Sequence, residues 1–289
     1  MSEILNNITT STQTNINEFG NSNLVAGNDS FLFANTFVAK FAFFLLVLII
    51  LVFILKILAQ ILARVFEPSP SPILYNGVKD AKKLAIVPQN PNVRGSIPIL
   101  RSNNEVNGIE FTYSIWLYID DLDYNKGIKK HIFHKGNNKY NSKEINGFNT
   151  NGVAVPNNAP GLYLAENSNK LIVVMNTFDN IIETIDIDNI PLNKWFNVVI
   201  RNKNKFLDVF INGTMAARHT FNSVPKQNYG DIYINDNGGF SGKVSTLRYF
   251  NEALNGTQIS KIITKGPDMT INKNLWIFPP YLSFRWFFN

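Results

Sequence analysis

The pattern of apolar and polar positions divides the chain sharply. Residues 41–55, FAFFLLVLIILVFIL, are fifteen apolar residues without a break, extended by FVA before Lys40 and by ILAQILA after Lys56. A run of about 20 apolar residues crosses a bilayer's hydrocarbon core as one helix. A buried core helix and a cleaved signal peptide are the alternatives. A core helix keeps a polar face that this stretch lacks, and a signal peptide begins near residue 1 behind a positive flank. Here a polar, acidic tail comes first. The pattern predicts a transmembrane helix over 37–63, with Phe41, Leu45, Ile49 and Phe53 in lipid and Lys40 and Lys56 reaching the headgroups.

Beyond the span the texture changes. EPSPSP (67–72) reads as extended polyproline, so 64–72 is expected to be a short stiff spacer. From Ile73 short apolar runs alternate with Asn, Gly, Asp and Pro, and the only helix longer than about two turns is predicted near 251–264. GIEFTYSIWLYI (108–119) places Phe111, Tyr113, Ile115, Leu117 and Ile119 on one face and Thr112, Ser114, Trp116 and Tyr118 on the other. Aromatics on both faces point to a central strand covered on both sides. PGLYLAENSNKLIVVMNT (160–177) reads as two strands joined at ENSNK, and KWFNVVIRN (194–202) and KFLDVFINGTMAARHTF (205–221) continue the meander. Asn212-Gly213 is a two-residue hairpin loop between β-rich flanks. The whole of 73–266 is therefore expected to be an all-β antiparallel sandwich, with 267–289 as an aromatic C-terminal extension.

Charge and composition refine this. Residues 1–36 carry Glu3, Glu18 and Asp29 and no Lys or Arg, so all 27 basic residues lie beyond them and the rest is more basic than the chain's +6. Lys56, Arg64, Lys79, Lys82 and Lys83 follow the span, which places the C-terminal domain in the cytosol and the tail in the lumen by the positive-inside rule. The sequons at Asn7 and Asn28 would then be open to glycosylation, and those at Asn212 and Asn255 count as chance. Basic pairs such as Lys82-Lys83 and Lys129-Lys130 are scattered rather than striped, which suits a solvated or lipid-facing surface and argues against nucleic acid. The absence of cysteine removes disulfides and thiol chemistry and agrees with a reducing compartment.

The order of the runs FTYSIWLYI, HIFHKG, PGLYL with KLIVVMNT, IPLNKWFNVVIRNKNKFLDVFINGTMAARHTF, GDIYIND and GGFSGKVSTLRYFNEALNGTQISKI resembles the laminin-G-like, concanavalin A-type jelly-roll superfamily over roughly 108–264. Its marks are Trp116, Trp195 after a polar turn, the Asn212-Gly213 hairpin, and Phe240 and Gly242 in a Gly-Phe-x-Gly strand. SIPILRSNNEVNGIEFTYSIWLYI and the terminal PPYLSFRWFF are similar to membrane-anchored laminin-G-like proteins of the nucleocytoplasmic large DNA viruses. The resemblance implies that Trp116 and Trp195 pack in the core.

Four places are candidates for chemistry. Glu183, Asp186 and Asp188 lie close together; glucanases of the superfamily this chain resembles carry Glu-x-Asp-x-Glu or Glu-x-Asp-x-x-Glu, and neither Asp186 nor Asp188 is followed by a Glu at that step. A retaining mechanism needs two carboxyls about 5–5.5 Å apart on one side of the bond. Asp186 and Asp188 share a strand face, but Glu183 has the opposite parity, so a solvent-facing edge strand is expected instead of an active site. His131 and His134, three apart in a strand, are expected on opposite faces and read as structural or surface histidines rather than zinc ligands. Asp236 with Asn235 and Asn237 is a calcium candidate, set against the six to eight oxygens, with several carboxylates, that calcium needs. Glycan binding would need exposed aromatics beside amides. Trp276 and Trp286 fall in the extension, which is too apolar to stand in water. Tyr281, Arg285 and Trp286 are its candidate partner contacts, against the sandwich, a neighbouring copy or the membrane.

The function expected from these readings is structural and non-catalytic, without a cofactor. A membrane-anchored virion protein would bind capsid proteins or neighbouring copies through its sandwich and link an inner membrane to the shell. A lectin-like attachment protein is the alternative, and a glycosidase the third.

Overall fold

The computed structural model describes residues 37–105 and 108–270. The chain divides into two units, Met1–Glu67 and Pro68–Asn289. In the first, α1 (Phe37–Phe66) is the helix expected from the apolar run. Its segment Lys40–Arg64 is 25 residues, long and apolar enough to cross a membrane, and none of it is buried. At 1.5 Å per residue it spans about 37 Å, somewhat more than a hydrocarbon core of about 30 Å.

The second unit holds the strands β1 (Ile73–Tyr75), β2 (Lys79–Asp80), β3 (Ala85–Val87), β4 (Asn103–Glu105) and β5 (Gly108–Ile119). Then follow β6 (Lys130–Gly136), β7 (Glu144–Ile145), β8 (Phe148–Asn149), β9 (Asn158–Leu164), β10 (Lys170–Met175) and β11 (Glu183–Asp188). The meander continues with β12 (Phe196–Lys203), β13 (Phe206–Ile211), β14 (Thr214–Thr220), β15 (Asp231–Ile234) and β16 (Gly242–Phe250), and closes with α2 (Gly256–Lys265). One large sheet runs β1-β16-β5-β12-β13-β14, with β2 also on β16 and β4 on β5; the other large sheet runs β11-β10-β9-β6-β15-β3, and β7 and β8 form a separate two-stranded ribbon. Pairing is antiparallel throughout, and the two sheets enclose one core, giving the antiparallel jelly-roll-like sandwich expected.

Period-two alternation explains the core. Phe111, Tyr113, Ile115, Leu117 and Ile119 of β5 meet Leu162, Leu164, Leu171 and Val173 of the facing sheet, all buried. On β16 the inward parity shifts from Val244 to Leu247 and Tyr249 across a bulge at Thr246, whose φ is 46°. The other face of β5 is also covered. Thr112 and Ser114 are buried there, and Val199, Phe210 and Phe250 pack with Leu254 and Ile259 of the α2 region. Asn255 caps α2 in a reciprocal box with Gln258. A long excursion, residues 137–157, covers the outer face of the second sheet, where Val153 and Val155 meet Tyr163 and Ile172. Asn212 and Gly213 both have positive φ, 50° and 83°, the geometry of a type I′ hairpin turn between β13 and β14.

Several expectations are corrected. The spacer is shorter than 64–72. Helix α1 runs to Phe66, and Pro70 and Pro72 accept backbone hydrogen bonds from Asn251 and Tyr249 at 3.1 Å each. Proline cannot donate, but an extended proline segment still offers carbonyls to a sheet edge. Arg248 adds bonds to the carbonyl and hydroxyl of Ser71, so only Glu67–Ser69 stands between helix and sheet. The sandwich also passes its expected end at 266: Asp268 accepts from Ser245 Oγ, and Thr270 accepts from the N–H of Val78. The rest of the extension, with Trp276, Tyr281, Arg285 and Trp286, lies outside the described residues. Lys129 and Lys130 are not a solvated pair; both are buried. Lys130 Nζ donates to the carbonyls of Ala165 and Glu166, and Lys129 Nζ to Asn149 O. Trp116 is buried on the outer face of its sheet rather than between the sheets, and Trp195 is partly exposed with its ring edge-on to Tyr118.

Candidate functional site

Between the two sheets, at the end where β6 finishes and β15 begins, lies a cavity of about 300 Å³. Its floor is made by Phe111, Tyr113 and Tyr249, inward residues of β5 and β16. Tyr113 lies 5.0 Å from Tyr249 between ring centroids, and Tyr249 donates its hydroxyl proton to Leu100 O at 3.0 Å. Burial pushes both phenols above their ordinary range, so they stay neutral.

The chemistry sits on the walls. Lys135 follows Phe133 by two residues on β6, so its stem shares the core-facing parity of that ring. It is only 5% exposed and lines the cavity. Its ammonium donates to Gly230 O at 2.5 Å. Burial pushes its pKa down to about 8, opposed by the negative charge of Asp231. Asp231 Oδ1 accepts from the N–H of Gln89 at 2.8 Å, and Gln89 braces the strap around Ile97 and Ile99 through both ends of its amide. Asn228 donates to Lys135 O and accepts from the N–H of Gly230. Arg101 stands exposed at the mouth, 3.4 Å from Gln227 Oε1, and Tyr229 is 82% exposed beside it. An anion or a polyol entering here would meet a buried cation, an exposed cation and aromatic faces.

The residues singled out from the sequence lie elsewhere. Asp186 and Asp188 point outward from β11, an edge strand, and share Lys170 at 3.0 and 3.4 Å. Glu183 points the other way; it accepts from Thr177 Oγ1 at 2.8 Å and meets His219 Nε2 of β14 at 3.1 Å. That contact latches the two sheets along one edge, and it divides the three carboxylates between two faces. His131 and His134 contradict the parity expectation. Both are buried, with His131 Nε2 2.6 Å from His134 Nδ1. A register shift in the β6–β9 ladder between His131 and Phe133 supplies the extra residue that brings them to one side.

Asp236 engages both oxygens within the protein: Oδ2 accepts from Tyr140 at 2.9 Å and Oδ1 from the N–H of Asn237 at 2.8 Å. Asn235 is buried and Asn237 exposed, both with positive φ in a turn closed by Gly239 N–H to Asp236 O. Asp236 is the one carboxylate in that loop, and no group of three or more His, Asp or Glu side chains among the described residues is placed to hold a metal. Lys135, Arg101, Tyr229 and Asp231 were not singled out from the sequence. The available signal was a lysine at core parity, two residues beyond a phenylalanine in an otherwise buried strand.

Solved structures with a similar fold include the receptor binding domain of botulinum neurotoxin D, at 14% identity and a TM-score of 0.45, covering 68% of this chain and 47% of that one. The botulinum neurotoxin serotype G binding domain aligns at 12% identity and a TM-score of 0.43, covering 65% and 46%. The chain thus spans about half the length of these domains. No curated protein matches the sequence. Residues 95–260 match the Laminin_G_3 family, described as the concanavalin A-like lectin/glucanases superfamily. That match covers more than half of the chain and takes in β4 through β16, and the protein belongs to this superfamily.

Proposed function

We propose that the protein is a single-pass membrane protein whose sandwich acts as a non-catalytic binding module, tethering an inner membrane to the protein shell of a large DNA virus. The observation that carries this reading is α1. A fully exposed apolar helix of 25 residues, Lys40–Arg64, is joined through Glu67–Ser69 to a binding-type sandwich. The lysines and arginine after the helix support an N-terminus in the lumen and a sandwich in the cytosol. A particle that takes its membrane from the endoplasmic reticulum turns that cytosolic face toward the capsid. The viral assignment rests on the similarity of SIPILRSNNEVNGIEFTYSIWLYI and PPYLSFRWFF to membrane-anchored viral proteins. The division of Glu183 from Asp186 and Asp188 supports a module without hydrolytic chemistry.

Protease treatment of microsomes carrying the protein tests the topology. Digestion of the sandwich from the cytosolic side is expected, and its protection sinks the tethering role. Crosslinking in purified particles then identifies the neighbour, with capsid protein expected. A second reading, glycan attachment, is favoured by the cavity beneath exposed Tyr229 and Arg101. It predicts the reverse topology and crosslinks to carbohydrate.

A further inference from the structure

We infer that the cavity over Lys135 is a subsite for a single anionic sugar residue. The inference rests on the glycan-binding reading and names the site and the ligand class for it. A buried ammonium is costly unless its three donors are accepted. Among the described residues Lys135 Nζ has one acceptor, Gly230 O, and its remaining donors face the cavity. Asp231 makes no ion pair with it; one of its oxygens is committed to the Gln89 N–H. The amides of Gln89, Gln227 and Asn228 are likewise engaged in bracing the walls. The charged donors left for a ligand are Lys135 at the base and Arg101 at the mouth, and a negatively charged acceptor satisfies them best.

The aromatic surfaces select a sugar over a bare anion. Tyr113 and Tyr249 meet edge-on at the base, their planes inclined at 61°, and close it with apolar surface, while Tyr229 presents an exposed ring at the rim. The Tyr229 face matches the C–H face of a pyranose, while the carboxylate or sulfate reaches Lys135. The volume, about 300 Å³, is at the small end of ligand sites, roughly 300–1,000 Å³, and accepts one ring rather than a chain. An acidic peptide side chain would bring the charge but would leave the Tyr229 ring unused.

The test titrates the full chain, held in phosphatidylcholine nanodiscs, with methyl β-glucuronide, glucose 6-sulfate, methyl β-glucoside and N-acetylglutamate, followed by saturation-transfer NMR. One of the two anionic sugars is expected to bind at least about tenfold tighter than the neutral glucoside or N-acetylglutamate, the worth of one charge-assisted hydrogen bond. Lys135→Met is expected to lose that preference, and its melting temperature checks the fold. Arg101→Gln and Tyr229→Ala alter only exposed side chains and are each expected to weaken binding severalfold. Affinity is also expected to fall between pH 7 and 9 as Lys135 loses its proton near 8, with Arg101, Asp231, Tyr113, Tyr229 and Tyr249 sharing the cavity. Equal binding of the neutral glucoside, equal binding of N-acetylglutamate, or an intact preference in folded Lys135→Met overturns the proposal. If a glycan array finds ligands whose binding none of the three substitutions changes, glycan attachment stands and this site falls. If no glycan binds, both fall.

Discussion

His131 Nε2 lies 2.6 Å from His134 Nδ1, and the bond is directional. The N–H of Asp236 donates to His131 Nδ1 at 2.9 Å, so in a neutral ring that nitrogen is bare and Nε2 carries the proton. His131 therefore donates to His134 Nδ1, and His134 Nε2 donates to Asn137 O at 3.2 Å. Every ring nitrogen has one role, and a proton added to the pair would set two N–H groups against each other.

Stability is accordingly expected to fall in mild acid. Burial drives His131 well below the ordinary histidine range, the neighbouring ring adding to it, and burial takes His134 down to about 4. At these two histidines the unfolded chain takes up protons near pH 6.5 and the folded chain does not until about pH 4, so their contribution to stability rises with pH through that window and is level above it. His134 alone contributes a loss of about 3 kcal/mol between pH 6.5 and 4. Urea midpoints of the full chain at pH 7, 5.5 and 4.5 measure it. A flat profile would mean that the pair is not held neutral.

The same pair shows where reading the sequence stops. Regular alternation made β5 legible, including its coverage on both faces, and the Asn212-Gly213 turn announced its hairpin because only residues tolerant of positive φ fit there. Alternation fails wherever a bulge inserts a residue, and the register shifts of β6 against β9 are invisible in HIFHKG. Those shifts unite the histidines in a strand whose every residue, Lys135 included, is buried. The buried Lys129 and Lys130 were illegible for a related reason: their acceptors are backbone carbonyls and distant side chains, which composition does not reveal.

Asp208 is 1% exposed on β13 and sits between Arg201 of β12 and Arg218 of β14. Burial would raise its pKa, but hydrogen bonds and charge from Arg218 and Arg201 outweigh that and hold it below the usual carboxylate range. Asp208→Ala leaves Arg201, which also donates to Leu254 O, without its counter-charge. A loss of about 3 kcal/mol is expected. Arg218 is half exposed and its charge is screened by solvent, so Arg218→Ala is expected to cost clearly less than Asp208→Ala. Chemical denaturation of both variants decides the matter, and equal losses would refute the ordering.

Gly242 opens β16 with φ of 154°, and a Cβ there would run into the backbone carbonyl of Tyr118 on the paired strand β5. Neither partner can retreat, because β5 is the centre of its sheet. Gly242→Ala is expected to destabilise the sandwich by about 2–3 kcal/mol, the range for backbone strain at an over-determined position. Gly256→Ala, where an added Cβ meets nothing within 4 Å, is the control and is expected to be neutral or slightly stabilising in α2. Melting temperatures of the pair report the contrast, and similar values would show that β16 can shift.

The acidic strand β11 provides a test of face against face. Asp186 and Asp188 hold Lys170 at the surface, where ion pairs contribute little, so Asp186→Asn with Asp188→Asn is expected to leave the urea midpoint essentially unchanged. Glu183, one of the same three carboxylates, is turned inward to Thr177 and His219, and its side chain is largely buried. Glu183→Ala strands both partners at the seam between the sheets and is expected to cost about 1–2 kcal/mol. The latch also needs the β14 side, so His219→Ala is expected to remove part of the same energy, and the double variant to lose less than the sum. Urea denaturation of the four proteins measures that coupling. Strict additivity would mean that Glu183 and His219 stabilise the sandwich separately, and that the edge is not latched through them.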